Sequence, residues 1–299
     1  MALPGREEAA AGTQAAARYS RRPMRLFAIA DPHLSGADPK PMDIFGPGWE
    51  AHPEAFFAGW RSVVTDGDLV LIPGDLSWAL RLNEAMIDLN AIAELPGRKV
   101  ILRGNHDYWW PSISRLRAAL PQGMYALQND AMLVDGVVIA GSRGWVCPGS
   151  HGYTEEDERI YRREVERLTL SLAAAKRLSG RYFVVMLHFP PTNSRLEPSD
   201  FTRLIGEAAP DALVYGHVHG GDQPLLTRLG AINVQFVAAD ALRFVPKLIA
   251  DLAAPEETGG EPGDRTERRA GGRAGRLAGE PGKGRTAGRT GMPTAEWRP

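Results

Sequence analysis

The sequence predicts a layered α/β domain with mixed β-sheets, and two observations carry this prediction. Short β-rich runs alternate with helical patterns from about Met24 to Asp251, which favours strands connected by packed helices. One pair of runs is joined by the two-residue turn Asp135-Gly136, which is typical of an antiparallel hairpin. Strand-helix-strand units together with a hairpin predict sheets of mixed direction.

Each strand is predicted from a run of β-branched, aromatic or aliphatic residues, which fit a pleated and buried surface. These runs are MRLFAIA (24–30), DLVLIP (68–73), KVILR (99–103), YFVVML (182–187), ALVYG (212–216) and INVQFV (232–237), with the hairpin AMLVDGVVIAG over 131–141. Helices are predicted over 54–65, 82–94, 111–120 and 154–178. Thr154, with Asp157 three residues later, has the spacing of a capping box at the start of the last helix.

The folded domain is predicted over residues 24–252. Residues 1–23 are Ala-rich but carry two glutamates and have no apolar h-region, which predicts a flexible leader rather than a secretory signal. Residues 253–299 are rich in Gly, Pro and Arg with almost nothing large to bury, which predicts a disordered basic tail. No stretch approaches the roughly 20 apolar residues of a membrane helix. We therefore expect no membrane span. The single cysteine, Cys147, excludes an internal disulfide, which favours a cytoplasmic protein.

Charge is distributed unevenly along the chain. Residues 265–299 hold nine Lys or Arg and three Asp or Glu, which gives this segment a net charge of +6. The formal net charge of the whole chain is −1, so the other 264 residues together carry a net charge of −7. An acidic body argues against a protein built to grip nucleic-acid backbone, which usually presents a basic face. Nucleic acid is therefore a disfavoured partner, and the oligomeric state is left open.

Polar residues that strand propensity does not explain follow the predicted strands at their C-terminal ends. In open α/β sheets, ligands bind in the crevice beyond these ends. Five of the seven histidines lie in these loops; one such histidine is usually structural, whereas five together favour a binding site. They belong to five motifs, Asp31-Pro32-His33, Gly74-Asp75, Gly104-Asn105-His106-Asp107, His188 and Gly216-His217-Val218-His219.

The chemical types in these motifs match the ligands of divalent metals. Imidazole, carboxylate and amide oxygen without thiolate suit Mn, Fe, Ni, Co or Zn. Asp31 and His33 are spaced i, i+2, as are the two histidines of the last motif, which in extended backbone directs both side chains to one side. Asp75 precedes Asn105 by 30 residues, about the length of one βαβ unit, so their loops are expected to be neighbours.

The five motifs, in this order, resemble the signature of the calcineurin-like metallophosphoesterase superfamily. That signature reads D-x-H, G-D, G-N-H-D/E, a lone H and G-H-x-H, and the resemblance spans about 190 residues. It implies a four-layer α/β/β/α sandwich with two mixed sheets. The runs NHDYWW and GSRGW (141–145) further resemble an uncharacterised bacterial branch of predicted phosphohydrolases.

The resemblance also implies a role for each motif residue. One metal would be held by Asp31, His33 and His219. The other would be held by Asn105, His188 and His217, with the Asp75 carboxylate bridging both. His106 would act as the general acid toward the leaving group, and we expect Asp107 to orient its ring. The expected cofactors are two divalent ions, with Mn favoured over Fe, Zn, Ni or Co.

Such a centre predicts a metal-dependent phosphohydrolase that acts on a small phosphorylated substrate. A phosphomonoester or phosphodiester would be hydrolysed by attack of metal-bound hydroxide. Arg103, at a position that binds phosphate in similar R-G-N-H proteins, and Arg143, in a Gly-bracketed loop, are candidates for binding the phosphate; each could otherwise be a surface arginine. Trp109 and Trp110 could line the substrate, although tryptophans that open a helix more often anchor it to the core.

Two other hypotheses stay open. The fold can act as a non-catalytic interaction scaffold, but such members usually lack the acid histidine or several ligands, and none is missing here. A nuclease recruited by the basic tail would show steeply salt-dependent binding that weakens when residues 253–299 are removed. The acidic body makes the nuclease the less favoured of the enzymatic readings.

Overall fold

Two mixed β-sheets form the centre of the computed structural model, which describes residues 23–220 and 224–252. The first sheet consists of β1 (Met24–Ala28), β2 (Leu69–Pro73), β3 (Arg98–Leu102), β4 (Met124–Leu127) and β11 (Lys247–Leu252), in the order β11-β1-β2-β3-β4. Its strands β1 to β4 are parallel, and β11 pairs antiparallel to β1.

The second sheet has six strands in the order β5-β6-β7-β8-β10-β9. They are β5 (Ala131–Val134), β6 (Val137–Ser142), β7 (Tyr182–Leu187), β8 (Ala212–Tyr215), β9 (Arg228–Leu229) and β10 (Ile232–Phe236). The hairpin partners β5 and β9 run antiparallel to β6 and β10, and the remaining pairs are parallel. The predicted mixture of strand directions is therefore confirmed in both sheets.

Helices cover the outer face of each sheet. They are α1 (His52–Val63), α2 (Leu82–Ala93), α3 (Ile113–Ala119), α4 (Glu155–Ala175) and α5 (Asp200–Ala208). Alternation along β2 shows the layering: Val70 and Ile72 pack with α1, α2 and α3, whereas Leu69 and Leu71 pack against the second sheet. The helices α4 and α5 bury their apolar faces on the other side of the second sheet. These three hydrophobic clusters confirm the predicted four-layer α/β/β/α sandwich.

Within the described residues, six elements were not predicted from the sequence: β4, β9, β11, α5 and two 3₁₀ helices, Asp43–Phe45 and Pro47–Trp49. The predicted helix over 111–120 is shorter, at Ile113–Ala119. The capping box at the start of α4 is present, since the Thr154 side chain accepts from the Asp157 backbone N–H and Asp157 accepts from the Thr154 backbone. No helix within the described ranges is long and apolar enough to cross a membrane. The predicted leader, apart from Pro23, and the predicted tail lie outside the described residues.

Candidate metal centre

All five polar loops meet at the C-terminal ends of the parallel strands, where the two sheets face each other. Asp31 and His33 follow β1, Asp75 follows β2, and Asn105 follows β3. His188 follows β7 of the second sheet, and His217 and His219 follow β8. Backbone hydrogen bonds join these loops, as from the Asp31 N–H to the Gly74 carbonyl (3.0 Å).

The backbone at the site departs from ordinary strand geometry. Four of the predicted ligands have left-handed φ angles: Asp31 (59°), His33 (46°), Asp75 (53°) and His217 (73°). Such conformations are unfavourable for residues other than glycine and concentrate at functional sites. The tight approach also explains two motif glycines, because a Cβ on Gly104 would collide with Asp75 Oδ1 and one on Gly216 would collide with Asp31 Oδ2.

Asp31, His33 and His219 form a first cluster, in which one ligand atom from each residue lies within 4.8 Å of the others. Asp31 and His33 are buried. Asp31 Oδ2 accepts a hydrogen bond from the His217 backbone (2.8 Å), but Asp31 Oδ1 and His33 Nδ1 have no hydrogen-bond partner among the described residues. Unpartnered buried polar atoms are costly, so this cluster fits a cation.

Asp75, His188 and His217 form a second cluster with the same spacing. His188 Nδ1 lies 3.0 Å from the Pro73 carbonyl, which can only accept, so the ring proton is on Nδ1 and Nε2 presents its lone pair. That lone pair faces Asn105 Oδ1 at 2.7 Å and His217 Nδ1 at 3.2 Å. Lone pairs that converge in this way are the arrangement a metal ion binds.

Asp75 lies between the two clusters. Its Oδ1 accepts a hydrogen bond from the His106 backbone (2.8 Å), which fixes the carboxylate. Its Oδ2 is 3.7 Å from His33 Nε2 of the first cluster and 3.5 Å from His188 Nε2 of the second. A single carboxylate oxygen thus faces a histidine of each cluster, which is the position a bridging ligand requires.

The electrostatics of these side chains also fit bound cations. Burial raises the pKa values of Asp31 and Asp75 well above the usual range, and repulsion from Asp75 and Asp107, respectively, adds to the effect. Burial lowers the pKa of His33 and His188 well below the usual range and that of His217 to about 3. The histidines are therefore neutral near pH 7, the state in which imidazole can bind a metal, while the carboxylates need a nearby positive charge to be ionised.

His106 stands beside the clusters rather than within them. Its ring centroid is 5.7 Å from that of His33 and 4.6 Å from that of Trp78. Burial, followed by repulsion from His219, lowers the pKa of His106 to about 4. An anionic substrate beside the ring would oppose this shift and favour its protonated form.

Asp107 makes contacts that were not predicted from the sequence. Its buried carboxylate accepts five hydrogen bonds: from the backbone N–H groups of Asp75, Leu76, Ser77 and Gly104, and from Trp109 Nε1. Both oxygens are committed to these donors, at 2.7 to 3.3 Å. The Asp107 carboxylate therefore joins the loop after β2 to the loop after β3, and the expected orientation of the His106 ring by Asp107 stays a prediction.

The two predicted phosphate-binding arginines lie near each other and near the clusters. Repulsion from Arg103 contributes to lowering the pKa of Arg143, after burial, and the Arg143 charge in turn acts to lower the pKa of Asp75. Arg143 is fixed by an ion pair with Glu164 (3.1 Å) and lies 4.6 Å over the Trp145 ring. The Nε atoms of both arginines are buried without a hydrogen-bond partner in the described chain, so each guanidinium has an unused donor.

Several residues of the site were missed from the sequence. His219 Nδ1 pairs with Asp240 Oδ1 at 3.0 Å, which leaves His219 Nε2 as the ring atom that could bind a metal. Asp240 follows β10 at the same edge as the other motifs, so its position after a strand was the signal. His52, which lay outside the motifs, has its Nε2 3.2 Å from the His33 carbonyl. The Trp109, Trp110 and Trp145 side chains are 2%, 6% and 4% exposed and belong to the core.

The comparison with protein families agrees with this geometry. The family model described as calcineurin-like phosphoesterase matches residues 24–221. Among solved structures, a protein of unknown function from Aquifex aeolicus is 16% identical, with 75% of this chain and 95% of that chain covered and a TM-score of 0.40. A protein of Thermus thermophilus is 15% identical, with 76% and 99% covered and a TM-score of 0.47. A search of curated proteins finds no match.

Proposed function

Because this chain belongs to the calcineurin-like phosphoesterase family, we propose that it hydrolyses a phosphomonoester or phosphodiester with two divalent metal ions. The observation that carries the proposal is the position of Asp75 Oδ2 between His33 Nε2 and His188 Nε2. When bound there, two ions polarise a phosphoryl oxygen and lower the pKa of a water molecule. The side chains of the protein would bind the phosphate and protonate the leaving group.

The ligand sets follow from the two clusters. Asp31, His33 and His219 would hold one ion, and Asn105, His188 and His217 the other, with Asp75 shared. The neutral Asn105 amide limits the negative charge around the ions, so the site stays attractive to an anionic ester. Manganese is the first candidate, with Fe, Zn, Ni and Co as alternatives of the same ligand preference.

Two kinds of side chain would act on the substrate. Arg103 and Arg143 would donate hydrogen bonds to the non-bridging phosphate oxygens, since each has an unused Nε–H. His106 would hold a proton at its ring nitrogen and transfer it to the leaving oxygen as the P–O bond breaks. The ring lies outside both ligand sets, so its proton is not displaced by a metal.

The test uses metal-stripped protein reconstituted separately with Mn, Fe(II), Zn, Ni and Co. Turnover of p-nitrophenyl phosphate and of its bis ester is measured for the natural protein and for Asp75→Asn. We expect metal-dependent turnover that Asp75→Asn abolishes together with most of the bound metal. The control is Asp66→Asn, an exposed carboxylate in the turn before β2. Full metal content and full turnover in Asp75→Asn would overturn the proposal.

A further inference from the structure

Lys40 places a positive charge beside His106. Its ammonium group lies 5.3 Å from the centroid of the Trp78 ring, and that centroid lies 4.6 Å from the centroid of the His106 ring. The Lys40 side chain is exposed, and no carboxylate in residues 23–220 or 224–252 forms an ion pair with it. A strongly hydrated point charge in such a position can bind an anion that enters the site.

Trp78 fixes the position of this charge. Its Nε1 donates to Met42 Sδ (3.2 Å), and its ring stacks on His33 at 4.9 Å and 23°. The same ring contacts His106 at 4.6 Å. Trp78 is therefore a rigid platform, and a cation over an indole face is held there by the negative face of the ring.

Tyr108 adds an aromatic group on the exposed side of His106. Its side chain is 53% exposed, and its ring centroid lies 6.3 Å from that of His106. The backbone N–H of Tyr108 donates to the His106 carbonyl (2.8 Å), which ties it to the loop after β3. The surface next to His106 thus carries one cation and two aromatic rings.

We propose that Lys40, Trp78 and Tyr108 form a leaving-group subsite that favours phosphoric esters whose leaving group carries its own negative charge. This inference rests on the proposed function, because His106 must lie beside the leaving group to protonate it. In that hydrolysis, a water oxygen bonds to phosphorus, the P–O bond to the leaving group breaks, and the leaving oxygen takes the proton. The anionic part of the departing group, a carboxylate or a second phosphate, would then contact the Lys40 ammonium group.

The test compares two substrates of nearly the same shape but different charge, 4-carboxyphenyl phosphate and 4-carbamoylphenyl phosphate. The readout is the ratio of their kcat/KM values, measured with the metal-loaded protein. An exposed ion pair is worth up to about 1 kcal/mol, so we expect Lys40→Gln to lower the ratio about fivefold. Lys40→Arg keeps the charge and should retain most of the ratio. Raising the salt concentration should reduce the difference between the natural protein and Lys40→Gln.

The matched control is Lys176→Gln, an exposed lysine beyond the end of α4 on the second sheet. This variant should leave both rate constants unchanged. An unchanged ratio in Lys40→Gln, with both substrates still hydrolysed, would overturn the subsite alone. Absence of turnover of either substrate by the natural protein with every metal would overturn the proposed function and the subsite with it.

Discussion

Asp107→Asn tests whether this carboxylate organises the loops or acts on His106. In the natural protein, Oδ1 accepts from Leu76, Ser77 and Trp109, and Oδ2 accepts from the backbone N–H groups of Asp75 and Gly104. Asparagine keeps one oxygen but turns an NH₂ group toward the other two donors. Two buried N–H groups then lose their acceptor.

The magnitude follows from those two groups. Each unsatisfied buried donor costs about 1 to 3 kcal/mol, which gives about 2 to 6 kcal/mol in total. Loss of the Asp107 charge relieves its repulsion of Asp75 and offsets part of this cost. We therefore expect the free energy of unfolding to fall by about 3 kcal/mol. With a urea m-value of about 2 to 3 kcal/mol/M, the midpoint would fall by about 1 to 1.5 M.

The assay is urea unfolding in EDTA, so that a change in metal affinity does not enter the free energy of unfolding. Asp157→Asn, at the half-buried capping box of α4 where Asp157 also accepts from Trp145 Nε1 (3.0 Å), is the control and should cost about 1 kcal/mol. An unchanged midpoint in Asp107→Asn, together with lower kcat at unchanged metal content, would refute the loop-joining role. That result would instead favour the predicted role of Asp107 in orienting the His106 ring.

Three further predictions concern single side chains. His106→Gln should retain its metal and lose about 10² to 10⁴ in kcat, with the larger loss for poor leaving groups, as measured by a series of aryl phosphates. Asp240→Asn should weaken metal affinity about 10- to 100-fold without unfolding the chain, measured by competition with a chelator, since Asp240 pairs with His219. Burial lowers the pKa of Lys99 from 10.5 to about 8, so the unfolded chain binds more protons between these values. The free energy of unfolding should therefore rise with pH from about 8 to about 10.5 by about 3 kcal/mol more in the natural protein than in Lys99→Met, measured by urea titrations at each pH.

The convergence of the candidate ligand residues could be predicted because each follows a strong apolar run. The apolar runs of β1, β2, β3, β7 and β8 are long enough for the strands to be identified. The polar residues that follow mark the point where each strand ends. Parallel strands then bring those residues to one edge. The seven predicted ligands do meet there, with Asn105 beside His188 and Asp75 between the clusters.

Features that depend on contacts distant in sequence could not be predicted. The β11 strand begins at Lys247, has little periodicity of its own and is defined by its antiparallel pairing with β1. Asp107 was assigned to its neighbour in sequence, whereas its partners Asp75, Leu76 and Ser77 lie about 30 residues earlier. A pattern of neighbouring residues in the sequence does not predict hydrogen bonds between residues this far apart.

Sequence also did not indicate the surroundings of His106. Trp78 reads as an apolar residue after a glycine-aspartate motif, and Lys40 as a solvated charge in a loop. Only the structure brings the Lys40 ammonium group over the Trp78 ring, and that ring onto His33 and His106. The left-handed φ angles of the ligands likewise arise from the packing of the loops against each other.

An anomalous-scattering map from crystals of the manganese-loaded protein would locate the bound ions. We expect two peaks about 3.5 to 4 Å apart. One should lie among Asp31, His33 and His219, the other among Asn105, His188 and His217, with Asp75 Oδ2 between them. A single peak, or no peak at these residues, would contradict the proposed pair of metal ions.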